Sequence, residues 1–159
     1  MAGEKILIVD DNSDAVAILT AILKKGGYTV SIARNGEEAL RKTVDEHPVL
    51  ILLDLMMPKM DGFEVCRRIR EDPALRDTII FFLSAKGDIS SKAQAIMLGV
   101  KEYIIKPFTR REILEKIHYH LSAPKPPALL SIAFILGFLS RLLQIGGWMR
   151  LRSHQKIAR

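Results

Sequence analysis

The sequence predicts a doubly wound α/β fold over residues 1–121, with five parallel strands in the order 2-1-3-4-5, followed by a C-terminal helical tail that is apolar and then basic. Three observations lead there. Short β-rich runs alternate with stretches of helical period, the pattern of a parallel sheet with crossover helices. Three of those runs are apolar at every position, as strands covered on both faces should be. The whole +6 net charge lies beyond residue 121: residues 1–121 carry 18 Lys and Arg against 18 Asp and Glu, residues 122–159 six against none. A basic isoelectric point therefore says nothing about the domain itself, and any argument for an anionic partner rests on the tail.

The first strand is expected at residues 6–9, ending in Asp10 and Asp11. Ala15, Ile18, Leu19, Ile22 and Leu23 then keep the spacing of one buried helical stripe, which Gly26 and Gly27 close. A second strand at 29–33 leads to a weaker stripe at Leu40, Thr43 and Val44. The third strand, 49–53, runs into Asp54, and its helix carries Phe63, Cys66 and Ile69. The fourth, 79–83, ends at Ser84, followed by Ile89, Ala93, Ile96 and Met97, closed by Gly99. The fifth, 102–105, ends at Lys106, and a strong stripe returns at Ile113, Leu114, Ile117 and Leu121.

Parallel strands joined by right-handed crossovers point the same way, so the residues that end them share one rim. Ligands of such sheets bind outside the carboxyl ends where strand order reverses, here between strands one and three. Those two strands deliver Asp10, Asp11 and Asp54. Three carboxylates gathered at one place repel one another unless a cation intervenes. Mg²⁺ suits the set, since it takes hard oxygen ligands and uses one or two carboxylates alongside water and phosphate oxygens. Asp11 and Asp54 are expected as direct ligands, Asp10 directly or through a water. Lys106 and Ser84 add a point charge and a hydroxyl able to neutralise the oxygens of a phosphoryl group in transfer. Asp54, central among the three, is the expected nucleophile, forming an aspartyl phosphate.

Five blocks now stand in register at strand ends: Ile6-Leu7-Ile8-Val9-Asp10-Asp11-Asn12, Leu52-Leu53-Asp54-Leu55-Met56-Met57-Pro58, Met60-Asp61-Gly62, Ser84-Ala85-Lys86 and Tyr103-Ile104-Ile105-Lys106-Pro107-Phe108. In order and spacing they resemble the signature of bacterial response-regulator receivers of the chemotaxis type, over residues 4–121. The resemblance implies the flavodoxin-like fold, and phosphorylation of Asp54 by a phosphohistidine of a sensor histidine kinase or phosphotransfer protein. It implies the Met56 backbone carbonyl as a further metal ligand and a cis bond between Lys106 and Pro107. It implies a switch in which Ser84 moves toward the phosphoryl group, Tyr103 turns inward, and the face of the fourth helix, fifth strand and fifth helix changes for a downstream protein target. Serine where the family more often has threonine keeps the hydroxyl. Met56 and Lys86 flank the site and are expected to tune phosphoryl lifetime by controlling water access. Such a domain is a phosphoacceptor, not an enzyme that turns over a substrate.

Competing chemistries fit less well. There is no Gly-rich Walker loop, Met56 stands where an aspartyl phosphatase needs its second aspartate, and Asp10 and Asp11 would repel a flavin phosphate. Cys66 reads as a small buried hydrophobe, and His47, His118, His120 and His154 as surface residues without ligand spacing. One cysteine and no signal-like N-terminal series suggest a reducing, cytoplasmic setting. Two rival functions remain: a phosphorylation-independent scaffold, and a membrane-tethered phosphate sink.

Pro124, Pro126 and Pro127 mark a stiff linker at 122–127. Residues 128–148 are mostly apolar, broken by Arg141, and Arg150, Arg152, Lys156 and Arg159 follow Trp148. Twenty-one residues suffice for a bilayer core of about 30 Å. Basic residues after that stretch and a kinase-facing domain before it both belong on the cytoplasmic side, so a re-entrant or interfacial anchor on anionic lipid is preferred over a single span. Docking onto a partner, the receiver or a second copy stands next, and a remnant tail last. No DNA-reading element is expected in it, so direct DNA binding is not anticipated.

Overall fold

The structure, a computed structural model, describes residues 3–85 and 87–123. Lys86, the linker from residue 124 and the tail at 128–159 lie outside the described residues. Met1–Ser122 form one compact unit. Its elements alternate strictly: β1 (Lys5–Val9), α1 (Ser13–Lys25), β2 (Thr29–Ala33), α2 (Gly36–Glu46), β3 (Leu50–Asp54), α3 (Gly62–Glu71), β4 (Ile79–Ser84), α4 (Ile89–Met97), β5 (Glu102–Ile105) and α5 (Arg110–Ser122). The five strands are all parallel, in the order β2-β1-β3-β4-β5.

Strand alternation divides the core in two. Leu7, Val9, Ile51, Leu53, Ile80 and Phe82 face α2, α3 and α4. Ile6, Ile8, Leu50, Leu52, Phe81 and Leu83 face α1 and α5, through Val16, Leu19, Leu23, Ile113 and Ile117. Side-chain caps start the helices. Asn12 accepts from the Asp14 and Ala15 amides, Asn35 from Glu38, Asp61 from Glu64 and Asp88 from Ser91. Glycines in the left-handed region follow α1 and α4, Gly27 at φ 88° and Gly99 at φ 68°.

The structure departs from the predicted stripes at several places. β3 begins and ends one residue late: Val49 stays outside, and Asp54 is itself a strand residue, paired with Leu83. In α1 the buried flank of Leu19, Ile22 and Leu23 is Val16; Ile18 is 58% exposed. In α2, Thr43 is buried and donates to the Ala39 carbonyl, whereas Val44 is exposed. The largest departure is α4. Ile89, Ile96 and Met97, expected against the sheet, are 86%, 75% and 88% exposed, and the helix buries Ala95 instead. Spacing identifies an apolar face but not the direction it turns. Leu98 and Val100, just beyond the helix, meet the core in its place.

Candidate functional site

Four strand ends converge on one rim. Asp10 follows β1 directly, its amide continuing the ladder to the Ala33 carbonyl at 3.2 Å, and is almost fully buried. Its carboxylate accepts from the Asn12 amide at 2.9 Å, while Asn12 caps α1. Asp11, between them, is exposed. Asp54 ends β3 and is buried. Oxygens of Asp10, Asp11 and Asp54 all lie within 4.8 Å of one another, as a shared cation would require. The donor set is wholly hard carboxylate oxygen, which suits Mg²⁺.

Lys106 closes the cluster. Its amide donates to the Ser84 carbonyl at 2.8 Å, which continues the β4–β5 ladder, and its ammonium reaches both Asp10 and Asp54 at 3.2 Å. The Lys106–Pro107 peptide is cis. Ser84 ends β4 and is buried beside the same rim. A cavity of about 480 Å³ opens there, lined by Leu55, Met56, Met57, Asp61, Phe63, Ser84 and Ser91. Met56 is exposed at its edge. Tyr103 on β5 is half-buried, its ring 6.4 Å from that of Phe82 and nearly perpendicular to it. Lys86 falls outside the described residues.

Gly62 sets the spacing behind Asp54. A β-carbon there would come within 2.6 Å of the Asp54 carbonyl oxygen, so α3 starts against the strand end at a distance that glycine permits. The Gly62 amide donates to the Leu55 carbonyl, and the Leu55 amide to that of Leu83, so the backbone on both sides of Asp54 is held.

Burial drives the Asp54 carboxyl above the ordinary aspartate value. The Lys106 ammonium opposes that, Asp10 reinforces it, and Lys106 and the Met56 amide supply hydrogen bonds to the charged form. For Lys106, burial works against the charge, but Asp54 and Asp10 outweigh it and hold the ammonium above the ordinary lysine value. The resting site is thus an anionic pair bridged by a cationic side chain, with a third carboxylate open to solvent.

Sequence reasoning placed His120 on the surface, and the structure corrects this. Its Nε2 lies 2.9 Å from Glu102, which also accepts from Lys116 at 2.6 Å, and its ring abuts Phe81 at 5.2 Å. His118 is exposed. The i, i+4 spacing of Lys116 and His120 was a local signal, but their shared partner on β5 was not.

A parallel five-stranded sheet with this order, and a carboxylate cluster at its β1–β3 switch point close enough to share a cation, defines a doubly wound α/β domain with its candidate site where such folds bind ligands. Comparison with known proteins narrows the class. The model of the response regulator receiver domain matches residues 6–118, and the chain belongs to that family. It is 43% identical over 113 residues to the transcriptional regulatory protein ResD of Bacillus subtilis, covering 71% of this chain and 46% of ResD. To the protein PilG of Pseudomonas aeruginosa it is 35% identical, covering 78% of this chain and 92% of PilG. The chain spans about half the length of several of the curated relatives it matches, and nearly all of PilG. Among solved structures, the CheX–CheY–beryllofluoride–Mg²⁺ complex from Borrelia burgdorferi matches with TM-score 0.69 at 30% identity, covering 74% of this chain and 88% of that one.

Proposed function

We propose that residues 1–121 accept a phosphoryl group from a histidine kinase or phosphotransfer protein onto Asp54, with Mg²⁺ held by Asp10, Asp11, Asp54 and the Met56 carbonyl. The observation that carries this reading is the meeting of Asp10, Asp11 and Asp54 with Lys106 at one rim. When bound, the ion supplies charge to screen the carboxylates and the oxygens of the incoming phosphoryl group. An Asp54 oxygen attacks phosphorus as the bond to the donor imidazole nitrogen breaks. The bonding pair leaves with the imidazole, which takes up a proton as required. The Lys106 ammonium exchanges a carboxylate partner for a phosphoryl oxygen, and the Ser84 hydroxyl donates to another. Met56 and Lys86 control the approach of hydrolytic water. The domain acts as a phosphoacceptor and not as a turnover enzyme.

Output is a change of interaction surface: Ser84 moves, Tyr103 turns inward, and α4, β5 and α5 rearrange for a downstream protein. Ile89, Ile96, Met97, Ile105 and Tyr119, all exposed, support such a face. Residues 122–127 serve as linker and 128–159 as an apolar and basic tail that associates with anionic membrane surface in the cytoplasm, with no direct contact to DNA. Among the described residues no helix is long and apolar enough to cross a membrane.

Beryllofluoride with Mg²⁺ tests the acceptor without the donor. NMR shifts spreading from Asp54 to Ser84, Tyr103 and α5, and lost in Asp54→Asn, are expected; a silent spectrum sinks the reading and leaves the scaffold. Co-sedimentation with phosphatidylserine vesicles, lost on removing residues 124–159, is the outcome expected of the tail.

A further inference from the structure

α4 is fastened to the core at its C-terminal end. Its buried residue, Ala95, lies in the last turn, and Leu98 and Val100 continue the contact with the core just beyond it. Backbone bonds fasten the same end: the Val100 amide to the Ala95 carbonyl at 3.1 Å, and the Lys101 amide to the Ile80 carbonyl at 2.9 Å. At the other end Ile89 lies in solvent, and Ser91 borders the cavity beside Ser84.

Arg70, near the end of α3, reaches across to this fastened end. Its Nε donates to the Leu98 carbonyl at 2.9 Å and one terminal nitrogen to the Gly99 carbonyl at 3.2 Å. The other terminal nitrogen donates to the Arg76 and Thr78 carbonyls, both at 2.8 Å. All four acceptors are backbone carbonyls, two just past the C-terminal end of α4, where helix polarity favours a cation, and two in the segment that leads into β4. A planar guanidinium can fill four such directions together; a lysine ammonium cannot. α3 starts against Asp54 at Gly62, and α4 follows the strand that ends in Ser84, so both helices begin at the acceptor rim. Arg70 ties them at the opposite rim.

We propose that Arg70 is a positioning residue that pins the C-terminal end of α4 to α3, so that displacement of α4 swings its N-terminal turns about a fixed far end. The inference rests on the phosphoryl-switch reading for what drives the swing, but the pin itself can be measured without phosphorylation. Amide hydrogen exchange on the full chain, unliganded, compares the wild type with Arg70→Gln and Arg70→Lys. In Arg70→Gln, exchange at residues 93–100 is expected to rise about tenfold or more while amides of β1, β3, α1 and α5 keep their rates; Arg70→Lys should recover only part. With beryllofluoride and Mg²⁺, wild-type shift changes should fade before Leu98 and extend through Val100 in Arg70→Gln. A uniform rise in exchange across the fold, no rise in α4, or the same beryllofluoride pattern in both proteins overturns the proposal. A wild type that ignores beryllofluoride refutes the switch reading instead, and the unliganded exchange still decides the pin.

Discussion

Asp54 sits where charge is least welcome. Burial, and then Asp10, push its carboxyl up, and Lys106 offsets only part of this. A folded-state pKa above the unfolded one means that ionisation costs stability, a cost that sets in as pH rises past the ordinary aspartate value and persists at neutrality. Asp54→Asn should therefore stabilise the chain at pH 7 in a chelator, by on the order of 1 kcal/mol. Added Mg²⁺ should narrow or reverse the gap by stabilising the wild type through binding. Urea midpoints with and without the ion check this, and a variant less stable than wild type in chelator contradicts it. The same cluster uses the reach of Lys106, whose ammonium bridges two carboxylates that end different strands. The meeting of these residues was readable from residue types at strand ends. Gly62 was quoted in a motif, but its reason, contact with the Asp54 carbonyl, needed coordinates.

At the scale of elements, α5 is attached to β5 through one carboxylate. Burial raises the Glu102 carboxyl, but hydrogen bonds from Lys116 and His120 outweigh it and leave it below the ordinary glutamate value. A lowered folded-state pKa gives stability that is present above the unfolded value and disappears as pH falls through the folded one. Glu102→Gln should thus cost about 1 kcal/mol at pH 7, and the two proteins should converge as pH falls below the ordinary glutamate range. Paired thermal melts across that range test the sign, and a difference that grows in acid would refute it. At the start of α1, Asn12 satisfies two amides, and Asn12→Ala should cost about 1 kcal/mol in chemical denaturation. Because Asn12 also donates its own amide to Asp10, that variant should weaken Mg²⁺ binding only modestly, the amide being retained.

At the scale of the molecule, the buried residues of both core clusters lie, among the described residues, between Ile6 and Ile117. Met1–Ser122 form a compact unit, so a chain ending at Ser122 should unfold in one cooperative transition and retain the beryllofluoride response; loss of either would mean that residues 123–159 belong to the folding unit. The sequence by itself determined the βα alternation, the five parallel strands and the rim that gathers Asp10, Asp11, Asp54, Ser84 and Lys106. Strand and helix periods are local, and parallel crossovers of one hand leave the strand ends only one side to share. Tertiary structure decided which side of each helix meets the sheet. Val16 and not Ile18 is buried in α1, Ala95 and not Ile89 or Ile96 in α4, and His120 is tucked against Glu102 and Phe81. It also brought Arg70 to the carbonyls of Leu98 and Gly99, about thirty residues away. Periodicity names an apolar or polar face, but the partner of that face is chosen by packing between segments distant in the chain, which no local pattern encodes.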